Sequence, residues 1–260
     1  MYSSKEFLSL LEEFAPLSLS RKMIEKGSYD NSGLLVKNHD NIQKIAFTLD
    51  LTVDAVLMAE SNGCDTIVTH HPAIYSPISS LDFEGDTAAL TLAVKKGFNV
   101  YSMHLNLDIA ENGIDQCLSN GLGLRNTRVI ERVDGDLGYG RIGELNSQKI
   151  EEFVKKVELE FGSDKIIFYG NNEVKCVASF CGAGASSAVG ALNELDGVDT
   201  VVTSDIAHHN LLSLVNAGKN VVIIPHYVAE NYGFNKFYQS VCQKLCGGAK
   251  GYYFTDKRFM

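Results

Sequence analysis

Short apolar runs rich in β-branched residues recur along the chain and alternate with segments of helical period. The runs are Lys44-Ile45-Ala46-Phe47, Thr66-Ile67-Val68, Asn99-Val100-Tyr101, Val174 to Phe180, Thr200-Val201-Val202 and Val221-Val222-Ile223-Ile224. Between them, Val53 to Asn62 and Ser187 to Leu195 read as helices. Glycine just past a helix followed by a new strand appears at Gly97-Phe98-Asn99-Val100 and again at Gly218-Lys219-Asn220-Val221, the expected passage from a helix cap into a strand. Strands alternating with helices of this length predict βαβ units and a mainly parallel sheet. Met1 to Arg21 predicts one amphipathic helix, with Phe7, Leu8, Leu10, Leu11 and Phe14 set among Lys5, Glu6, Glu12 and Glu13. Ser147 to Phe161 predicts another, with Ile150, Phe153, Val154 and Val157 on one face.

The pattern repeats. Gly63-Cys64-Asp65-Thr66-Ile67-Val68-Thr69 returns as Gly197-Val198-Asp199-Thr200-Val201-Val202-Thr203, within the same order of elements. This predicts an α/β protein of two related three-layer lobes, 1–125 and 126–260, built on a duplicated core. Gly135 to Gly170 has no counterpart in the first half and reads as packing structure.

Composition narrows the partners. At 260 residues, 45% hydrophobic and 21% charged, the chain is ordinary for a globular protein and large enough to bury a core. A net charge of −9 disfavours nucleic acid and anionic membranes, which recruit an excess of cations. The start lacks a basic segment followed by an apolar one, and no apolar run approaches the ~18 residues that span a bilayer. The six cysteines, Cys64, Cys117, Cys176, Cys181, Cys242 and Cys246, are scattered and form no CxxC pair. They read as reduced core thiols of a cytoplasmic protein.

The histidines carry the chemistry. His70 and His71, His104, His208 and His209, and His226 each fall just past a predicted parallel strand, with Asp108 four residues beyond His104 and Glu230 four beyond His226; only His39 sits in a plain polar turn. Open α/β sheets place ligands along that edge. A single histidine there is ordinarily a surface residue, but several such strand ends with nearby carboxylates argue for a metal site. Imidazole and carboxylate without thiolate suit zinc, iron, manganese or nickel, and two carboxylates suffice to bridge a pair of ions. Pro225 fits a helix start, which would put His226 and Glu230 on one face. Paired metals acidify water and so supply a nucleophile at neutral pH.

Thr69-His70-His71-Pro72, His104-Leu105-Asn106-Leu107-Asp108 and Pro225-His226-Tyr227-Val228-Ala229-Glu230 resemble the signatures of the dinuclear-metal-centre hexameric family, whose members are named GTP cyclohydrolase 1 type 2 homologues or NIF-three-like proteins. Asp30-Asn31-Ser32-Gly33-Leu34, Ala46 to Thr52, Ser204 to His209 and the turn Cys181-Gly182-Ala183-Gly184-Ala185 match as well, so the resemblance spans about residues 28–125 and 174–234. It implies two divalent ions per protomer on His70, His71, Asp108, His226 and Glu230, with Glu230 bridging, a site in the cleft between the lobes, and a homohexamer. His104, His208 and His209 would line the site and shuttle protons. The family usually has glycine at Pro225 and threonine at Ala229, departures that remove no ligand.

Two functions stay open on this reading. One is a metal-dependent hydrolase acting on a nucleotide or related small molecule, with GTP the substrate that the resemblance suggests. The other is a metal-binding hexameric assembly or regulatory protein with little catalysis. Gly182 and Gly184, between a strand and a helix, could cradle phosphate, though without the Walker lysine; close strand-to-helix packing explains them equally well. Asp30 and Asn31 read either as polar site residues or as a plain turn.

Overall fold

The structure, a computed structural model, describes residues 1–191 and 195–260. It divides into two compact units, Met1–Ala110 with Phe234–Asp256, and Glu111–Gly233 with Lys257–Met260. A contiguous division at residue 125 therefore does not follow the packing. The reason is the C-terminal segment: β11 (Lys250–Phe254) pairs in parallel with β2 (Lys44–Thr48), so the end of the chain completes the first sheet.

In the first unit the five strands run in the order β1-β4-β3-β2-β11, with β1 at Gly33–Val36, β3 at Thr66–Thr69 and β4 at Asn99–Ser102. All neighbours are parallel except the edge pair β1 and β4. Helices α3 (Val53–Ser61) and α4 (Ala88–Lys95) make the crossovers. Strand alternation sends Ala46, Ile67 and Val100 into a core with Val56, Ala59 and Ala93 of these helices. The opposite face carries Phe47 and Tyr101. Tyr101 packs edge-on against Phe7 at 5.2 Å, and Phe47 meets Tyr238 at 5.2 Å. These partners lie on α1 (Ser4–Glu12) and on α10 (His226–Lys244), which makes three layers.

The single N-terminal helix expected over Met1 to Arg21 is two. Ser3 caps α1 in a reciprocal pair with Glu6, and α2 (Leu17–Glu25) starts afresh after Pro16. Proline disfavours helical backbone at the residue before it, and the Asn106 amide donates to the carbonyl of Ala15 at this break at 2.7 Å.

The second unit holds six strands in the order β5-β6-β8-β9-β10-β7: β5 Arg125–Asp134, β6 Leu137–Gln148, β7 Ile167–Tyr169, β8 Val174–Ser179, β9 Thr200–Thr203 and β10 Asn220–Ile223. Only β8, β9 and β10 are mutually parallel; the rest pair antiparallel, so this sheet is mixed. The Gly135 to Gly170 stretch contributes most of the difference. Asp134-Gly135-Asp136, with Gly135 at φ +57°, closes the long β5–β6 hairpin. Strand β6 runs on to Gln148, so the following helix, α7 (Ile150–Phe161), starts three residues later than the periodicity suggests. The helix expected over Ser187 to Leu195 appears as α8 (Ala185–Gly190), and Leu192 to Glu194 lie outside the described residues. Helix α9 (His208–Asn216) leads into β10.

The sequence echo has a physical basis. Asp65 Oδ2 accepts from the backbone N–H groups of Gln43 and Lys44, both at 2.9 Å, and Oδ1 accepts from the Thr66 hydroxyl. Asp199 does the same for Lys175, Cys176 and Thr200. Each Asp-Thr pair locks the start of one strand to its parallel neighbour, in matching register: Ile45 opposite Thr66, and Val177 opposite Thr200. Asn99 and Asn220 are likewise equivalent, their Oδ1 atoms accepting from Asn38 and Asn172.

Candidate metal centre

In the first unit, two strand ends deliver the donors. β3 ends at Thr69, whose hydroxyl donates to the His71 carbonyl at 2.7 Å and fixes the turn. β4 leads through Met103 to His104, and the short helix α5 (Leu105–Ile109) follows with Asp108 on it. His70 is fully buried and Asp108 nearly so. One ligand atom from each of His70, His71 and His104 lies within 4.8 Å of the others. Asp108 Oδ1 stands 3.4 Å from His70 Nε2.

Each ring is oriented by an oxygen acceptor on Nδ1. His70 Nδ1 faces the Met103 carbonyl at 2.8 Å, His71 Nδ1 faces Asp50 at 2.6 Å, and His104 Nδ1 faces Asp30 at 2.8 Å. A carbonyl or ionised carboxylate can only accept, so each Nδ1 carries the proton and Nε2 offers its lone pair, the arrangement found in metal-ligating histidines. Burial pushes the Asp30 carboxyl up, but hydrogen bonds from His104, Ser20 and Ser32 outweigh it and leave it below the ordinary range.

In the second unit, Pro225 precedes α10 and places His226 and Glu230 one turn apart. His226 Nε2 is 2.9 Å from the buried Glu230 carboxylate, and Nδ1 is 2.7 Å from Asp205. Burial pulls this imidazole down, but Glu230 and Asp205 more than offset it and hold it at about 9. Two carboxylates around one ring make a position that attracts a cation. Gly182 closes over it with φ +56°: a Cβ there would lie 2.4 Å from Glu230 Oε1.

The six candidate histidines divide into separate groups. His70, His71 and His104 come together, with Asp108 beside His70; His226 and Glu230 form their own pair. His208 and His209 are exposed on the first turn of α9 and fall in no candidate metal group among the described residues. Gly182 and Gly184 are explained by close approach: at Gly184 a Cβ would sit 2.4 Å from the Phe180 side chain and 2.5 Å from the Tyr139 hydroxyl. A carboxylate against Gly182 also opposes phosphate there. Sequence reasoning assigned no role to Asp50 or Asp205 and left Asp30 between a site residue and a turn. Two of them carried a signal, since Asp50 and Asp205 each lie two residues past a parallel strand, much as the candidate histidines follow theirs. Among the described residues the six cysteines are thiols rather than disulfides; Cys117 and Cys181 are buried in the core, whereas Cys246 is exposed.

The donor set fits divalent metal. It offers imidazole nitrogens and carboxylate oxygens, with the outer ring nitrogens already engaged, as zinc, iron, manganese and nickel accept.

The second unit also buries a charge pair. Asp115, on α6 (Ile114–Gly121), is fully buried 3.3 Å from Arg141. Burial pushes its carboxyl up to about 7 against the pull of Arg141. A folded-state value raised above the unfolded one favours folding below the unfolded value, and this contribution is lost as pH rises through about 7. Wild type should therefore lose stability relative to Asp115→Asn between about pH 4 and pH 7, read by urea unfolding at several pH values. Parallel profiles for the two proteins would refute this titration.

Comparison with known proteins agrees with this architecture. The family model Duf34/NIF3 (NGG1p interacting factor 3) matches residues 2–254. A Methanocaldococcus jannaschii protein named GTP cyclohydrolase 1 type 2 homolog is 29% identical over 249 residues, covering 93% of this chain and 96% of its own. A Clostridium perfringens protein of the same name is 27% identical over 232 residues, 86% of each chain. Among solved structures, Staphylococcus aureus hypothetical protein SA1388 superposes with a TM-score of 0.85 at 23% identity, covering 98% and 97% of the two chains, and shows the fold. Reduced HcgD from Methanocaldococcus jannaschii superposes with a TM-score of 0.80 at 28% identity, covering 96% and 97%. With the family model spanning nearly its whole length, the chain belongs to the Duf34/NIF3 family.

Proposed function

We propose that the protein is a divalent-metal-dependent hydrolase of a nucleotide substrate, with His70, His71 and Asp108 of the first unit and His226 and Glu230 of the second holding two ions per protomer of a homohexamer. The observation that carries the reading is the four histidines whose Nδ1 atoms are each tied to an oxygen acceptor. Such outer contacts cost freedom and return nothing at a bare surface; they preset imidazoles as ligands. The names of the curated relatives, GTP cyclohydrolase 1 type 2 homolog, point to GTP and to hydrolytic opening of the guanine imidazole ring.

When bound, such ions supply Lewis acidity and acidify water near neutral pH. The chain does the rest. Asp50, Asp30 and Asp205 orient the rings, and buried Glu230 and Asp108 bring negative charge. His104, at the edge of the first-unit group, is placed to move a proton at Nε2 while Asp30 holds Nδ1. His208 and His209, exposed on α9, are assigned an outer role in proton exchange with solvent.

The test is turnover of GTP and a phosphoester panel by protein stripped with chelator and reloaded with zinc, iron, manganese or nickel. Metal-dependent loss of the guanine ultraviolet band is expected. Metal-loaded protein that turns over nothing on the panel would overturn the hydrolase reading in favour of a metal-binding assembly protein.

A further inference from the structure

Beside the first-unit histidines lie two aromatic rings that the metal reading does not use. Tyr29 is 50% exposed and Tyr75 54% exposed, yet they meet edge-on with centroids 5.1 Å apart, and Tyr75 lies 6.3 Å from the His104 ring. The backbone under them is fastened at each step. The Asn31 side-chain amide donates to the Ile74 carbonyl at 2.7 Å, next to Tyr75. Asp30 holds His104 Nδ1, and the Ser32 hydroxyl both accepts from the His104 backbone N–H and donates to Asp30. The segment from Tyr29 to Ser32 thus ties the aromatic pair and His104 into one assembly. The paired rings offer an exposed aromatic surface, and they are held where a molecule next to His104 would meet them.

We propose that Tyr29 and Tyr75 form a stacking platform for a planar nitrogen heterocycle, the base of a purine nucleotide, and hold it beside His104. The proposal rests on the hydrolase reading for the identity of that ring and adds the residues that grip it. Aromatic rings stack on any base, and a stacked base contributes about five- to hundredfold in affinity by alanine substitution. Neither ring presents charge to the substrate, so the platform leaves the phosphates to other groups.

Equilibrium dialysis of the metal-loaded full chain against GTP and against inorganic triphosphate tests it. Tyr75→Ala and Tyr29→Ala should weaken GTP about five- to hundredfold, Tyr75→Phe should keep wild-type affinity, and triphosphate binding and metal content should not change. The platform is overturned if both alanine proteins bind GTP as tightly as wild type, or if wild type binds GTP no more tightly than triphosphate. Should the alanine variants fold poorly, Tyr75→Trp places a lone indole in a chain without tryptophan. GTP should quench its emission and triphosphate should not; no quenching by GTP also overturns the platform. The two readings fail separately. Wild type that binds GTP on this pair without consuming it removes hydrolysis and keeps the platform. Metal-dependent turnover with full GTP affinity in both alanine variants does the reverse.

Discussion

Glu230→Gln and His71→Ala proteins should fold and yet lose metal. Glutamine keeps the shape of Glu230 but removes the negative charge from a side chain only 4% exposed. The wild-type carboxylate is held 2.9 Å from His226 Nε2, and a neutral amide attracts a cation far less well. His71→Ala removes one imidazole and leaves Asp50 without its ring partner at 2.6 Å. Because Asp50 is part-exposed, water can take that place, and stability should change little. Altering even an outer hydrogen-bond partner of a ligand ordinarily costs about 10- to 100-fold in metal affinity; loss of a ligand should cost at least that. Metal per protomer by elemental analysis, and affinity by competition with a chromogenic chelator, report the outcome. His208→Ala, on the exposed turn of α9, should retain full metal. Wild-type metal content in both ligand variants would sink the assignment.

Strand positions and the clustering of candidate donor residues were legible in the chain because both follow short-range rules. β-branched runs that open shortly after a glycine mark buried parallel strands, and the ligand edge of a parallel sheet is its carboxyl edge, so histidines past Thr69, Ser102 and Ile223 announce themselves. The duplicated Asp-Thr pair was readable as a repeat, though its reason, two backbone amides capped across a strand boundary, is visible only in three dimensions. What stayed hidden depends on contacts far apart in sequence. Nothing local to β11 says that it pairs with β2 some 200 residues earlier, so a boundary drawn at residue 125 misses the true division. Asp30 holds a histidine 74 residues away, which a turn-like sequence cannot announce. The β5–β6 hairpin is different, since its Asp-Gly turn is a local signal that the stronger repeat on either side overshadows.

Gly182→Ala should dissociate site geometry from general stability. Gly182 has φ +56°, where a side chain is costly by about 1–2 kcal/mol. Its Cβ would also lie 2.4 Å from Glu230 Oε1 and 3.4 Å from His226 Nε2. Contacts under 3.0 Å are not tolerated, so either the carboxylate swings away or the turn opens. The turn is the harder of the two to move, because the Gly182 carbonyl accepts from the Asp205 backbone N–H at 3.2 Å and the preceding Cys181 carbonyl accepts from the Tyr139 hydroxyl. The carboxylate should therefore yield, and the pair it makes with His226 should break. Gly218→Ala is the matched control: φ is +76° and nothing lies within 4 Å of the added Cβ, so it carries the backbone cost alone. Both variants should lose about 1–2 kcal/mol in urea unfolding of the metal-free protein, but only Gly182→Ala should also bind metal about tenfold or more weakly. Equal metal affinity in the two would mean that Glu230 has room to adjust, and that the glycine serves the turn rather than the ligand.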